Sequence, residues 1–213
     1  MRQLMWGLSL TLSLFVSPTY SQATKDPVPP TVEFELRVGS TKYDVAEGKT
    51  FSIVTPKGER VELVLRRKEV LQFEGHGASF NYDSSMKVEV EKELGVVTIT
   101  VEATSSPMVL IQVYSVAVSP EEVRDSLLRG LREEFKSRGA EFLEGSGRTV
   151  KRQFRGIERE GQSLESVLGG ERMSIEVYAF RKGDTVMSIM LQHLASDAEM
   201  AKKYFSVITN SLQ

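Results

Sequence analysis

Five basic residues lie within twelve positions and form the clearest concentration of charge in the chain: Arg148, Lys151, Arg152, Arg155 and Arg159. Alternate residues of a β-strand share a face, so Lys151 and Arg155 would point to one side with Gln153 between them. Such a face indicates binding of an acidic partner or of an anionic lipid head group. The alternative is a solvated sheet face or edge, where basic side chains discourage aggregation. We select Lys151, Arg152 and Arg155 as candidate partner-binding residues.

The two histidines, His76 and His193, are the side chains best suited to metal binding or to proton transfer near neutral pH. His76 lies in the sequence Glu-Gly-His-Gly, and no other ligand stands at a recognised metal spacing from it. His193 closes a predicted strand just before Ser196, with no neighbour that would orient it as a base. We interpret His76 as an exposed loop residue and His193 as a residue at the end of a sheet.

Motifs for catalysis and for cofactor binding are missing from the sequence. It contains no G-x-S-x-G elbow, no P-loop and no dinucleotide fingerprint, and it has no cysteine for thiol chemistry. The loop at Gly145-Ser146-Gly147 is not followed by a helix pattern that could hold an anion. Met173, Met187, Met190 and Met200 are interpreted as core residues. We therefore predict no catalytic, cofactor-binding or metal-binding residue and no cofactor, and we favour a protein that is not an enzyme.

The elements that would position these residues begin with a small β meander at residues 32–72. Its first strand shows the period of two that is typical of a half-buried strand, with apolar residues at Val32, Phe34, Leu36 and Val38. Turns at Gly39-Ser40 and at Pro56-Lys57-Gly58 separate the short strands that follow.

The remainder, residues 73–213, is predicted to form one α+β domain. Residues 108–116 are almost continuously apolar, which is typical of a central strand covered on both faces. Further strands are predicted at residues 79–82, 88–90, 96–101, 150–154, 163–167, 173–180 and 186–191. Because no proline follows Pro120, the later strands can form uninterrupted hydrogen-bond ladders.

Two amphipathic helices are predicted, near residues 120–138 and 197–211. The first begins with a capping box formed by Ser119 and Glu122, and Gly139 is well placed to end it. Its apolar stripe is expected to consist of Val123, Leu127, Leu131 and Phe135. A second capping box is expected at Ser196 and Glu199. The apolar stripe of the second helix is expected to consist of Ala201, Tyr204, Phe205, Ile208 and Leu212.

Two segments carry a resemblance to a known family. Phe80-Asn81-Tyr82 is similar to the start of an aromatic strand of the type F-x-Y-P-x-x-W, although Asp83 and Met86 replace the proline and the tryptophan. The second segment runs from Val177 through Gly183-Asp184 to Ser211. Residues 75–213 thereby resemble the PsbP-like domain family, which includes the bacterial DcrB-like proteins. The resemblance implies an antiparallel β-sheet sandwiched by helices, and it favours a role without catalysis.

The N-terminus has the layout of an export signal. Arg2 supplies a positive charge, residues 4–16 are apolar, and Ser21-Gln22-Ala23 offers small residues for cleavage. The apolar stretch is shorter than the roughly 20 residues of a spanning helix; the alternative is an uncleaved anchor. We predict a signal peptide at residues 1–23, a proline-rich linker at residues 24–31, and an exported product, periplasmic or secreted, with no transmembrane domain after cleavage.

The overall charge limits the classes of partner. The chain has 27 basic and 29 acidic residues, so its net charge is −2, whereas a nucleic-acid-binding domain is usually strongly basic. With no cysteine it can form no disulfide, and its stability must come from packing. We therefore expect no nucleic-acid partner.

Three functions remain compatible with the sequence. The first is an exported, non-catalytic binding or protein-interaction module whose partner is another envelope or extracellular protein. The second is a carrier of a small apolar ligand in a pocket between sheet and helix. The third is a hydrolase without a recognisable motif, which would require buried titratable groups to converge. The sequence leaves the partner and the oligomeric state open.

Overall fold

The structure, a computed structural model, describes residues 33–55, 57–66, 68–104 and 106–213. The predicted signal peptide and the predicted linker lie outside these ranges. The chain divides into two compact units, of which one ends at Arg66 and the other spans Arg67–Gln213.

The first unit contains two antiparallel hairpins in its described part. Strand β1 (Glu33–Val38) pairs with β2 (Thr41–Ala46), and β3 (Thr50–Val54) pairs with β4 (Arg60–Val64). Gly39 adopts a φ of 63° in the first turn, a conformation that glycine reaches at little cost. Val45 and Ile53 are the buried apolar residues of this unit.

The second unit begins with a hairpin of β5 (Val70–Gly75) and β6 (Ala78–Asp83). Residues 70–72, which the sequence grouped with the N-terminal meander, thus pair within the second unit. Phe73 and Phe80, directly opposite each other, stack with ring centroids 5.0 Å apart. This aromatic pair anchors the hairpin in the core of the unit.

The main sheet of the second unit is antiparallel throughout its described length. Its strands are β7 (Lys87–Glu93), β8 (Val96–Glu102), β9 (Met108–Tyr114), β10 (Glu141–Phe142), β11 (Thr149–Phe154), β12 (Ile157–Leu168), β13 (Glu171–Lys182) and β14 (Thr185–Leu194). The spatial order is β10-β12-β13-β14-β9-β8-β7, with β11 paired to the other end of β12. Every residue of β9 is buried, as predicted for a central strand.

Helix α1 (Pro120–Ser137) starts with the predicted capping box, in which Ser119 and Glu122 satisfy each other's backbone N–H groups. Helix α2 (Ala198–Ser211) follows a 3-10 turn at Ala195–Asp197. None of the helices in the described ranges combines the length and the apolar character that crossing a bilayer requires.

The two helices cover opposite faces of the sheet, and strand β14 shows this most clearly. Its odd-numbered residues Met187, Ile189 and Leu191 belong to a buried cluster. The same cluster includes Ala201, Phe205 and Ile208 of helix α2. Its even-numbered Val186 belongs to a different cluster, together with Val123 of helix α1. The predicted fold class, an antiparallel sheet sandwiched by helices, is confirmed.

Two details of the helices differ from the prediction. The expected capping box at Ser196 and Glu199 is wrong, because α2 begins two residues after Ser196 and its N-cap, Asp197, makes no side-chain cap. The expected stripe of α1 is incomplete: Leu127 is half-buried and packs against the cluster that contains Val123. Leu128, which the prediction left out, lies deeper in the core with 5% exposure, since strict spacing by four drifts off the helix face.

Adjacent leucines in α1 provide a matched test of this packing. We expect Leu128→Ala to lower the free energy of unfolding by about 2–5 kcal/mol, because it leaves a cavity between helix and sheet. Leu127→Ala changes helix propensity equally but removes a half-buried side chain, so its effect should be smaller. Urea unfolding of both variants measures the difference. Equal losses would contradict the assignment of Leu128 to the core.

Candidate functional site

The predicted partner-binding residues occupy three different environments. Lys151 lies on the exposed face of β11, where its Nζ is 3.0 Å from Glu158 and 3.7 Å from Glu160. Arg152 points to the opposite face, beneath α2, and is half-buried. Arg155 lies beyond the end of β11 in a turn. The structure therefore does not bring the three cations together, because β11 ends one residue before Arg155.

An open groove of about 660 Å3 lies where the turns of the second unit meet the end of α2. We call it the cationic groove; its lining consists of residues 74–79, 154–155, 157, 159, 180–182, 187 and 212–213. Its floor is apolar, with Phe154 and Met187 buried and Phe180 half-buried. Ile157 at its margin is 54% exposed and adds apolar surface that solvent can reach.

Three contacts tie the walls of the cationic groove to one another. The backbone N–H of Arg155 donates to the carbonyl of Thr209 near the end of α2, at 2.9 Å. Gln213 and Ser79 exchange two backbone hydrogen bonds, at 2.7 and 2.9 Å. Lys182 donates from Nζ to the carbonyl of Gly77 in the β5–β6 turn. The groove is therefore formed before any ligand arrives, which reduces the entropic cost of binding.

Three arginines of the groove have no acidic partner in the part of the chain that the structure describes. Within the described residues, no carboxylate lies at ion-pair distance from Arg155, Arg159 or Arg181. The guanidinium carbon of Arg159 lies 4.7 Å from the centroid of the Phe180 ring, and its buried Nε finds no acceptor among the described groups. A guanidinium held against a ring in this way presents its remaining donors to the groove in a fixed orientation.

Arg152, which lies opposite Arg159 on the same sheet face, is neutralised. Arg152 donates from Nε and from a terminal nitrogen to the same carboxylate oxygen of Glu176, at 3.0 and 2.9 Å. Tyr178 donates its hydroxyl to that oxygen at 2.6 Å. This triad joins β11 to β13, so the charge of Arg152 is already paired within the fold. Burial raises the pKa of the Tyr178 hydroxyl, and the charge of Glu176 raises it further.

Of the three predicted partner-binding residues, Arg155 lines the groove, and so does Arg159 of the basic run. Sequence analysis missed Arg181 and Lys182, which come from the end of a strand 22 or more positions later. His76, interpreted as an exposed loop residue, is exposed at the rim of the groove. A search of the described residues finds no cluster of three or more His, Asp and Glu side chains that could hold a metal ion.

Of the methionines interpreted as core residues, Met173, Met187 and Met190 are buried. The interpretation of Met200 as a core residue is wrong, because Met200 lies on the outer side of α2 with 41% exposure. Its position one residue before the buried Ala201 places it off the apolar stripe of the helix.

His193 lies at the end of β14, with its ring 5.8 Å from that of Phe205 and at an angle of 72°. Its Nδ1 is buried, and no hydrogen bond from a described residue reaches it. Burial lowers the pKa of His193, whereas the negative charges of Glu176 and Glu165 act in the opposite direction. Nothing in this arrangement orients the imidazole as a catalytic base.

The lowered pKa of His193 predicts a loss of stability in mild acid. Its ordinary value is 6.5, so below that pH the unfolded chain binds the proton more readily than the folded one. We expect the free energy of unfolding to fall between about pH 7.5 and about pH 5.5, and His193→Gln to reduce that fall. Urea titrations at both pH values measure it, with His76→Gln as the control. An unchanged pH dependence in His193→Gln would contradict the assignment.

No protein-family model matches the chain, and no curated protein matches it. Solved structures are similar to about two thirds of the chain. A cyanobacterial PsbP from Synechocystis sp. PCC 6803 is 10% identical, with a TM-score of 0.47 over 68% of this chain and 92% of its own. LpqN, involved in cell envelope biogenesis of Mycobacterium tuberculosis, is 10% identical, with a TM-score of 0.38 over 68% of this chain and 91% of its own.

A third similar structure is a protein from Bacteroides thetaiotaomicron. It is 14% identical, with a TM-score of 0.42 over 67% of this chain, and this chain spans about half of its length (47%). The chain is thus similar to a PsbP structure over about two thirds of its length, in line with the partial PsbP-like resemblance that the sequence predicted.

Proposed function

We propose that the protein is an exported, non-catalytic binding module that holds an anionic partner protein in the cationic groove. One observation carries the proposal: Arg155, Arg159 and Arg181 have no acidic partner among the described residues, whereas Lys151 and Arg152 nearby are paired with glutamates. Isolated cations around an apolar floor gain the most from an incoming carboxylate, because the floor limits access of water to the new ion pairs.

The packing between sheet and α2 favours an open binding surface over an internal pocket. Ile111, Ile189 and Ile208 are fully buried there, and Phe205 fills the space between them with 2% exposure. A carrier of a small apolar ligand would need an unfilled cavity at this interface. The groove, by contrast, is open to solvent, and it suits a surface that projects from another protein.

The titratable groups that lie close together give little support to the hydrolase alternative. The carboxylate of Glu176 is already occupied by Arg152 and Tyr178. His193 lies on the same sheet face, but no described group hydrogen-bonds to its ring to orient it. A base for water activation needs both a free lone pair and a fixed orientation.

The export component of the proposal is tested by the N-terminus of the native protein. We expect the product in the periplasmic or culture fraction to begin at Thr24, because Ser21-Gln22-Ala23 presents the small residues that signal peptidase accepts. Cell fractionation followed by N-terminal sequencing measures this. Protein recovered from the cytosol and still beginning at Met1 would contradict export.

The binding component is tested by removing two groove cations without disturbing the fold. Arg155 has a φ of 49° and precedes Gly156, so Arg155→Asn creates the Asn-Gly pair that such hairpin turns favour. Combined with Arg181→Gln it removes two charges. The control, Lys92→Gln with Lys202→Gln, removes two charges from exposed positions outside the groove.

The purified protein and both double variants are each used to capture proteins from envelope extract, which are identified by mass spectrometry. We expect one protein to be retained by the wild type and by the control but lost, by about tenfold or more, with the groove variant. Equal retention by all three would contradict the proposal. A co-purifying small molecule in native mass spectrometry would favour the carrier instead.

A further inference from the structure

We infer that the cationic groove recognises an acidic peptide segment anchored by an aromatic side chain. The inference rests on the proposed function and names the chemistry of the partner. It follows from three features of the groove: a guanidinium fixed on a ring, two further arginines in the lining, and an apolar floor.

The fixed guanidinium is that of Arg159. Its stacking on Phe180 and the burial of its Nε restrict the rotamers of an otherwise flexible side chain. The planar fork of a guanidinium matches a carboxylate with two parallel hydrogen bonds. Because the side chain is already ordered, a carboxylate that binds it loses less entropy than one that pairs with a free surface arginine.

The other two cations require more than one carboxylate. Arg155 belongs to the turn between β11 and β12, whereas Arg181 lies near the end of β13. Neither has an acidic partner among the described residues, and Glu74 is the acidic residue of the groove lining. Arginines that reach the lining from two different elements fit carboxylates that are spread along a chain, as in a run of Asp and Glu.

The floor supplies the apolar contact. The half-buried ring of Phe180 and the 54% exposed Ile157 present an apolar surface above the buried Phe154 and Met187. Aromatic side chains dominate the energy of many interfaces, because they bury a large area with few rotatable bonds. An aromatic residue between acidic ones would cover this surface while its neighbours meet the arginines.

The open form of the groove favours a peptide segment over a small molecule. Sites for small molecules enclose most of the ligand surface, whereas this groove leaves one side free for a chain to enter and leave. Its walls are tied by the contacts of Arg155, Lys182 and Gln213, so a segment can dock without rearrangement of the backbone.

Four labelled peptides test the inference by fluorescence anisotropy with the purified protein. The first peptide is acidic and has a central Phe, and the second has Ser in place of that Phe. The third has Lys in place of each Asp and Glu. The fourth is a scrambled sequence that moves Phe to one end. We expect the first to bind at least about tenfold more tightly than the second and third, because each lacks one of the two contacts. Its affinity should also fall with rising salt.

Variants of the protein connect this binding to the groove. Arg155→Asn with Arg181→Gln should weaken the acidic Phe peptide by about tenfold, and Lys92→Gln with Lys202→Gln should leave its affinity within about twofold of the wild type. Equal affinities for the Phe and Ser peptides, or equal weakening by both double variants, would overturn the inference. Laurate is tested as a competitor of the labelled peptide. Displacement at a lower concentration than the unlabelled peptide needs would overturn the inference in favour of a fatty-acid carboxylate as the ligand.

Different results would contradict the proposed function and the inference about the acidic peptide. If the peptides do not bind but the groove variant still loses a captured protein, the groove binds a partner of other chemistry and only the inference is wrong. If the groove variant retains every captured protein and the peptides do not bind, the proposed function is wrong as well.

Discussion

The structure of the second unit depends on burying both faces of one antiparallel sheet. Strands β9 and β14 run through its centre, and each carries apolar side chains on both sides. An antiparallel sheet with one wet face would alternate polar and apolar residues. Here the two helices remove both faces from water, so the free energy of folding comes from two packed layers that share the same strands.

The cationic groove is a consequence of where this covering stops. Helix α2 ends at Ser211, beside the turn at Arg155, whose N–H donates to the carbonyl of Thr209. The side chains on that uncovered corner are the aromatic and apolar ones that would otherwise lie beneath a helix. Arg159 covers part of this corner by stacking on Phe180, which is why one of its nitrogens is buried without a partner in the described structure.

One close approach beneath α2 makes this corner possible. The ring of Tyr178 crosses strand β12 at Gly161, where a Cβ atom would lie 2.5 Å from it. Tyr178 can therefore lie across Gly161 and meet Phe154 edge-to-face, with ring centroids 5.0 Å apart and an angle of 67° between the ring planes. Its hydroxyl reaches Glu176 and completes the triad with Arg152. A glycine in the middle of a long strand is thus explained by the aromatic ring opposite it.

Local patterns predicted most of the elements but little of the site. The apolar run at residues 108–116 and the capping box at Ser119 are encoded within a few neighbouring residues, so they could be identified directly. Lys151 and Arg152 each form ion pairs with glutamates, and only the register of the strands brings those glutamates close to them. Arg181 reaches the groove for the same reason: a hairpin returns it to the turn that holds Arg155.

The backbone bridge between Gln213 and Ser79 has a practical consequence for anyone who modifies the protein. Any sequence joined after Gln213 would leave the fold at the margin of the groove, since Gln213 itself is part of the lining. A purification handle or a reporter placed there would compete with whatever docks. Such additions are better made through another exposed position, such as Lys92 on the outermost strand of the sheet.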